Sequence, residues 1–427
     1  MSADLETLLD LALKAGADAA EVYQASSLSH PVFFEANRLK QLETVESEGL
    51  ALRLWREGRP GLAVAYGPID PQRLVGKALE LAALNDPEEP ALAPPRRNWH
   101  SSLGESVSVE NLIDIGKATI AALRSAYPEV ICGGELSCET EKTRLLNSQG
   151  LDCQIEETSV SYYFGVEWIR GEDFLAVYDG DYGRGAFTTD EVIAQLLQRL
   201  HWAKALAPSP TGKLPVLFTS NAASLLWDTV AAALNGKRVL EGSSPWSERQ
   251  GQGVVSPLIS LAQDPNLSPY DCPFDDEGTP TQAYSLIQRG QLQQFYSDRM
   301  TARRLGQLPS GNGFRPGLEY YPVPSLVNLV VAPGQEDGQS LLQALPQALI
   351  VAQILGDGAD LSGDFSVNVD LGYAVADGEV LGRVKDTMIA GNVYQLLNQV
   401  IAVGNDRRWQ GSYYTPSLLI DGVAIVA

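Results

Sequence analysis

Apolar positions near the start of the chain recur at helical spacing. Leu5, Leu8, Leu9, Leu11 and Leu13 predict a helix from about Ala3 to Lys14, ended by Gly16. The period then shortens to two. Ala20 to Phe34 and Arg38 to Val45 read as strands, and Gly49 to Tyr66 as a hairpin turning at Glu57-Gly58-Arg59-Pro60. Asp70-Pro71 caps a second helix running to about Leu84, and the proline-rich, acidic Asn85 to Pro95 is a linker or exposed loop. The order then recurs: a helix (Ser108 to Ala126), strands (Val130 to Glu139, Thr143 to Ser148), a hairpin (Val160 to Tyr178, turning at Arg170-Gly171-Glu172-Asp173) and a helix (Asp190 to Ala205). This recurrence predicts an internal duplication of a helix-plus-meander unit, with halves at 1–92 and 103–206.

Ala207 to Pro215 carries three prolines and marks the start of a C-terminal domain at 212–427. Leu214 to Thr219 reads as a short buried strand feeding a helix, with Ser220 or Asn221 as N-cap. Leu225, Leu226, Val230, Ala233 and Leu234 make its apolar stripe, and Asn235-Gly236 supplies a left-handed stop. Short strands follow at Ser256 to Leu261, Ala283 to Gln288, Gln291 to Ser297, Leu326 to Val331 and Val351 to Leu355. Phe365 to Ala376, Glu379 to Val384 and Leu418 to Val426 complete the set. Helices near Asp298 to Leu305, Ser340 to Leu345 and Val393 to Val400 interrupt them. Arg289-Gly290 and Asp377-Gly378 are hairpin turns. The whole predicts an α+β fold: two duplicated helix-plus-antiparallel-meander halves, then an α+β domain with a curved, mostly antiparallel sheet.

Composition narrows the functional classes. The 427 residues, 44% of them hydrophobic, suffice for two or three domains with real cores. With 53 acidic against 31 basic residues the net charge is -22, a field that repels phosphate backbones and anionic membranes. Arg299, Arg303 and Arg304 are the one dense basic group, expected as a solvated helix face. The acidic, amphipathic start is not a signal peptide, and no uncharged apolar stretch is long enough to span a bilayer. Cys132, Cys138, Cys153 and Cys272 lack Cys-x-x-Cys spacing and read as reduced structural thiols of a cytoplasmic protein.

The helix after Thr219 could carry metal chemistry, because side chains one turn apart converge on one face. Its residues read Leu225-Leu226-Trp227-Asp228-Thr229-Val230-Ala231-Ala232. Further on come Asp275-Asp276-Glu277-Gly278-Thr279-Pro280, Arg299-Met300-Thr301-Ala302-Arg303-Arg304-Leu305-Gly306 and Ser310-Gly311-Asn312-Gly313. Then follow Ser362-Gly363-Asp364-Phe365-Ser366, Ala390-Gly391-Asn392, Gly404-Asn405-Asp406 and Pro416-Ser417-Leu418-Leu419-Ile420-Asp421-Gly422. In this order they resemble the TldD/PmbA family, the so-called modulators of DNA gyrase. The resemblance implies that TldD-type members carry Leu-Leu-His-Glu-x-x-x-His at the helix and a cysteine ligand after the Gly-Asn/Asp-Asp segment. Here the histidine positions hold Trp227 and Ala232, the glutamate position holds Asp228, and Arg407-Arg408-Trp409-Gln410-Gly411 brings no cysteine. Neither indole nor methyl can replace an imidazole as a ligand.

The chain is therefore most similar to the PmbA/TldE-type subunit that lacks the zinc-binding motif. The resemblance implies a non-catalytic partner of a TldD-like zinc protease that processes small unfolded peptides, with zinc in the partner and no cofactor in this chain. Implied partners are that protease subunit, an unfolded peptide and, alone, a second copy as homodimer; direct nucleic-acid or membrane binding is not expected. Two alternatives stand beside it: a self-associating peptide-binding protein without protease activity, and a degenerate metallohydrolase using Asp228 with a metal shared with a neighbouring chain. The Ser310-Gly311-Asn312-Gly313 loop and the Tyr320-Tyr321 pair are candidate linings of a peptide chamber. Asp271, Asp275, Asp276 and Glu277 form an acidic cluster beside Cys272 that calcium could use, but the EF-hand order is absent. The cluster reads as an acidic turn in which Asp276 and Glu277 cap neighbouring backbone amides, in a segment that the resemblance places near surface loops. His30, His100 and His201 share no metal spacing, and neither a Gly-x-Ser-x-Gly elbow nor a phosphate-binding glycine loop occurs.

Overall fold

The computed structural model describes residues 4–427 except 69, 105, 186, 344 and 357. Contacts divide the chain into two compact units: residues 1–192 with 272–281 and 297–325, and residues 193–271 with 282–296 and 326–427. Fold class is α+β, as expected from the pattern. The unit boundaries differ from those expected, because the two N-terminal halves share one sheet and the C-terminal region contributes two segments to that unit.

In the first unit α1 (Leu5–Lys14) precedes β1 (Ala19–Ser29), β2 (Val32–Glu35), β3 (Arg38–Leu42), β4 (Val45–Arg56), β5 (Arg59–Tyr66) and α2 (Pro71–Ala82). The second half supplies β6 (Arg96–Ser102), α3 (Val109–Ala126), β7 (Ile131–Asn147), β8 (Leu151–Arg170) and β9 (Asp173–Gly183); α4 (Asp190–Trp202) follows, with the residues from Ile193 on belonging to the second unit. Ala3, the expected start of α1, lies outside the described residues. Asp70 caps α2 by accepting from Gln72 N and Arg73 N, and Ser108 caps α3 through Asn111 N.

The nine strands form one sheet in which β5, β4 and β1 lie beside β7, β8 and β9. Each half contains three antiparallel strands between two helices, β1-β4-β5 and β7-β8-β9, but β2 and β3 are inserted after β1 with no counterpart in the second half; the first strands of the two sets pair antiparallel, Glu21 opposite Asn147 and Ser29 opposite Glu139. A set of three strands leaves an unpaired edge, and joining two through their first strands removes one edge from each. Glu57-Gly58 makes the first hairpin turn with positive φ at both residues.

Two expectations fail here. β7 is a single strand of 17 residues where the polar stretch Glu139 to Lys142 suggested a break; it stays extended because β1 and β8 pair with it on both sides. β6, in a stretch for which the pattern predicted no element, pairs parallel with β8. One face of the sheet packs on α1 and α2 through Leu8, Ala12, Val22, Leu52, Leu74 and Ala78.

The rest of the chain comprises β10 (Gly212–Phe218), α5 (Ser220–Leu234), α6 (Gly236–Leu240), β11 (Leu261–Gln263), β12 (Tyr284–Gln288), β13 (Gln291–Leu292) and α7 (Arg299–Arg304). Next come β14 (Gly313–Phe314), β15 (Val323–Pro324), β16 (Leu329–Val331), β17 (Gln347–Leu355), β18 (Asp364–Ala376), β19 (Glu379–Arg383) and β20 (Met388–Asn392). The chain ends with α8 (Val393–Leu396), β21 (Val400–Val403), β22 (Arg408–Gln410), β23 (Tyr413–Thr415) and β24 (Leu418–Val426). The helix expected at Ser340 to Leu345 is a 3-10 turn at Ser340–Leu342, and Ala344 lies outside the described residues.

In the second unit β10 pairs parallel with β17, and β17, β18, β20 and β24 follow antiparallel. β24 returns to pair with β10, so these five strands close on themselves. A second sheet runs β13-β12-β11-β16-β23-β22. The core between them takes Phe218 from β10, Leu226, Trp227 and Val230 from α5, Leu261 from β11 and Val331 from β16. Arg289-Gly290 and Asp377-Gly378 turn their hairpins with positive φ at all four residues, as expected.

Gly61 shows how closely α2 sits on the sheet, since a Cβ there would lie 2.0 Å from Ala78 O and 2.8 Å from Ala82 N. Both are backbone atoms of a helix that cannot give way locally. Gly61→Ala is expected to destabilise the protein by about 2–3 kcal/mol, read as a lower midpoint in urea denaturation.

Candidate functional site

α5 is set by the strand that precedes it. Thr219, one residue before the expected cap, is the N-cap, with Ser220 the first helical residue. The expected left-handed stop is absent: Asn235 has φ -71 and instead caps α6 by accepting from Lys237 N, and Gly236 opens that next helix. The predicted stripe is buried, and so are Trp227 and Thr229, which leaves Asp228 as the exposed position in this stretch.

The three motif positions do not share one environment. Trp227 is fully buried in the core, and its Nε1 donates to Thr415 Oγ1 at 2.7 Å. Asp228 points the other way, and its Oδ1 accepts from Tyr413 Oη at 2.6 Å. Burial first, and then the Asp228 carboxylate, hold the Tyr413 phenol well above its ordinary range, so it stays a neutral donor. Ala232 offers a methyl group. Thr415 and Tyr413 both lie on β23, so the β22–β23 hairpin closes over the helix where the resemblance places a cysteine ligand.

The donor set does not fit zinc: one indole, one methyl and one carboxylate already bonded to a tyrosine. Among the described residues no group of three or more His, Cys, Asp or Glu side chains could hold a metal ion. A shallow cavity of about 300 Å³ in the same unit is lined by Lys213, Asn392, Gln395, Gln399 and small residues, and includes none of the three positions.

The acidic run proves to be a second constellation, within the first unit. Asp275 and Glu277 are buried and Asp276 is half-buried, whereas a turn near the surface was expected; Asp276 and Glu277 cap amides as expected, but distant ones, and it is Asp275 that caps the local amides. Asp275 Oδ1 accepts from Glu277 N (3.0 Å) and Thr279 N (2.8 Å), and its Oδ2 from Gly313 N (2.8 Å). Asp276 accepts from Arg315 N and from Tyr23 Oη on β1, and Glu277 Oε2 accepts from Arg299 N. Alongside, Glu21 Oε1 on β1 receives both Arg53 Nη2 (3.0 Å) and Arg315 Nη2 (2.8 Å). Arg53 lies over the Trp55 ring and Arg315 over that of Tyr23.

Charge is unbalanced in this cluster. Glu21, Asp275, Glu277 and Asp298 stand buried, with Asp276 half-buried, against Arg53, Arg315 and the half-buried Arg299. Burial pushes Asp275 up to about 7 against the pull of its three amides, and burial with the neighbouring Asp275 and Asp298 carboxylates drives Glu277 well above the carboxylate range.

The proposed chamber loop belongs to this constellation. Asn312 is fully buried with its Nδ2 donating to Ser325 O, Ser310 Oγ bridges to Ser297, and Gly311 needs φ +74 with no room for a Cβ beside Pro280 O. Gly311, Asn312 and Gly313 are buried and do not line a chamber. Tyr320 is exposed, and the half-buried Tyr321 lies near Arg53. The basic group is a solvated face only in part: Arg303 and Arg304 are exposed, but Arg299 donates to Ala91 O and Leu92 O, and Arg303 to Glu89 O and Pro90 O, so α7 holds down the proline-rich linker. Sequence reasoning did not find Glu21, Arg53 or Arg315. The one available signal was charge at inward-alternating strand positions.

The family description "PmbA/TldA metallopeptidase C-terminal domain" matches residues 211–427, and "PmbA/TldA metallopeptidase domain 1" matches residues 20–82. The chain belongs to the PmbA/TldD family. It is 28% identical to the metalloprotease TldD homolog of Haemophilus influenzae over 246 residues, 57% of this chain and 49% of that protein. The match thus spans about half of that relative. It is 23% identical to metalloprotease PmbA of Escherichia coli O157:H7 over 99% of this chain and 95% of that one. The fold superimposes on TldE from Thermococcus kodakarensis with a TM-score of 0.88 at 23% identity, over 99% of this chain and 100% of that one. No helix among the described residues is long and apolar enough to cross a membrane. All four cysteines are free thiols, and burial pushes Cys132 and Cys153 up to about 11.

Two expected outcomes follow from these geometries. Trp227→Phe removes the bond to Thr415 while keeping most of the volume and should cost about 1–2 kcal/mol, measured by chemical denaturation with circular dichroism. For the acidic cluster the sign is set by raised folded-state values: the folded protein binds more protons, so stability is present at low pH and lost as pH rises through about 7. The urea midpoint should fall between about pH 5.5 and 8. Glu277→Gln, which keeps a neutral acceptor, should reduce that fall; an unchanged slope would show the cluster is not the titrating element.

Proposed function

We propose that this chain is a non-catalytic, PmbA/TldE-type subunit that works with a separate TldD-type zinc protease on small unfolded peptides. The observation that carries the reading is the pair of side chains at the histidine positions. Trp227 is turned into the core and bonded to Thr415, and Ala232 has no donor atom, so neither could bind a metal without rebuilding α5. Asp228 is exposed but engaged by Tyr413, and no histidine or cysteine at these positions could join it. The family membership supports a place in peptide hydrolysis, and the donor set supports assigning the metal chemistry to a companion chain.

Four free thiols, three of them fully buried, suit a reducing, cytoplasmic compartment. A net charge of -22 disfavours direct contact with DNA.

The test uses the full chain, purified alone and mixed with a TldD-type subunit that carries the intact histidine motif. Alone, it is expected to hold well under one zinc per chain by atomic absorption and to leave an unfolded reporter peptide uncut. The mixture should form a complex and cut the peptide, and Asp228→Asn should leave that rate within about twofold. Stoichiometric zinc in the isolated chain, with cleavage abolished by Asp228→Asn, would sink the reading.

A further inference from the structure

The cavity of about 300 Å³ in the second unit lies where β10, β20 and β24 meet α8 and the turn after it. Register builds its floor. Lys213 stands opposite Ala424, and Ala424 opposite Ala390, so the three side chains share one face of the sheet. Their strand neighbours Ile425 and Ile389 point into the core, which turns this row outward. Two methyl groups there leave the space open. Gly422, at φ +71, makes room for one wall, since a Cβ on it would lie 2.8 Å from Gln399 Oε1.

The polar side chains around this floor divide into engaged and unengaged. Asn392 commits its amide inside the protein: Nδ2 donates to Ser362 O and Asp364 Oδ1, and Oδ1 accepts from Gln395 N. The side-chain amides of Gln395 and Gln399 and the Lys213 ammonium make no hydrogen bond or ion pair among the described residues. Lys213 carries the only charge of the lining, and none of the 53 acidic residues of the chain is placed to pair with it. The set is therefore one cation flanked by two carboxamides, each of which can both donate and accept. It holds no guanidinium and no second cation, the groups that recognise a phosphate dianion through a planar fork or by matching its charge.

We propose that this cavity is a binding site for a small monocarboxylate that carries an amide beside its carboxyl group, as an N-acylated amino acid or the C-terminal residue of a peptide does. Lys213 takes the carboxylate, and Gln395 and Gln399 bracket the amide, donating to its carbonyl oxygen and accepting from its N–H. The volume is at the lower end of the range for small-molecule sites, and an opening this wide makes binding weak and exchange fast. None of the lining comes from α5, so the inference stands whichever chain carries out hydrolysis.

The experiment adds N-acetylalanine to the full chain and follows it by saturation-transfer NMR. A Kd of roughly millimolar is expected. Lys213→Met should raise it at least about tenfold and Gln399→Leu about threefold or more, whereas Lys237→Met, at an exposed lysine on α6, should leave it unchanged. Lys213 and Gln399 are exposed, so these variants should keep their thermal midpoints, which are checked on each. N-acetylalaninamide, which lacks the charge, should give no signal, and inorganic phosphate should not displace the acid. A hexapeptide ending in alanine that binds as well as N-acetylalanine would make a chain terminus the ligand, and one that binds at least about tenfold worse would make it a free small molecule; both outcomes keep the carboxylate-and-amide chemistry. No saturation transfer to N-acetylalanine, or a Kd unmoved by Lys213→Met, overturns the site. Displacement by an equal concentration of phosphate, or equal binding of the amide, overturns the ligand class.

Discussion

Carboxylates out of water are the constraint on which the first unit is built. Asp275, Glu277 and Glu21 are buried, and Asp276 half-buried, on the sheet face opposite α1 and α2, held by donors from several stretches of chain: the amides of residues 277, 279, 299 and 313, the Tyr23 hydroxyl, and the Arg53 and Arg315 guanidiniums. An unpaired buried carboxylate costs several kcal/mol, while one satisfied by amides and arginines is close to neutral. Removing any donor segment would expose its acceptors' full desolvation cost. The acids thus make segments 272–281 and 297–325 obligatory parts of a unit whose sheet comes entirely from the first 183 residues. They give specificity of assembly more than stability, and burial, with the neighbouring carboxylates behind it, is the reason protons are retained.

What could be read from the sequence follows from which interactions are local. The α2 cap at Asp70, the two-residue turns at Glu57-Gly58, Arg289-Gly290 and Asp377-Gly378, and the recurrence of three strands between two helices are written in adjacent residues, and each is present. The failures are where a distant strand decides. Glu139 to Lys142 is polar and breaks the apolar pattern, yet it stays extended because it has a strand on either side; β6 exists because β8 offers a free edge. Asn235 and Gly236 were read as a stop from their conformational tolerance, but a second short helix starts there and takes Asn235 as its cap.

The same logic separates the two constellations. At α5 the motif residues are contiguous, so the sequence frame identified them, and the structure adds the direction of each: indole inward to Thr415, carboxylate outward to Tyr413. In the acidic cluster amide capping was legible in kind but placed on Asp276 and Glu277, whereas Asp275 does the local capping, and burial was not legible, because the cover comes from Tyr23 and Arg315 more than two hundred residues apart. Glycines at 311 and 313 looked like a pliable loop lining. They are instead forced by backbone and carboxylate atoms lying within 2.3 Å of where a Cβ would stand.

These geometries bear on whether a lost metal site could be regained by few changes. Placing histidine at Trp227 would put imidazole in a site shaped for an indole with a single acceptor, Thr415 Oγ1, leaving a cavity and an unpaired ring nitrogen in the core. Asp228 is one methylene shorter than the glutamate of the motif and is drawn toward Tyr413, so it would have to abandon a charge-assisted bond before it could activate a water. The β22–β23 hairpin, which supplies both Thr415 and Tyr413, occupies the place from which a cysteine ligand would have to come. Three separate interactions therefore hold α5 in its present role, and each would have to be undone together with the others. That coupling fits a helix kept as a packing element of the core, and it is the residues around the motif, more than the motif itself, that support the proposal of hydrolysis by another chain.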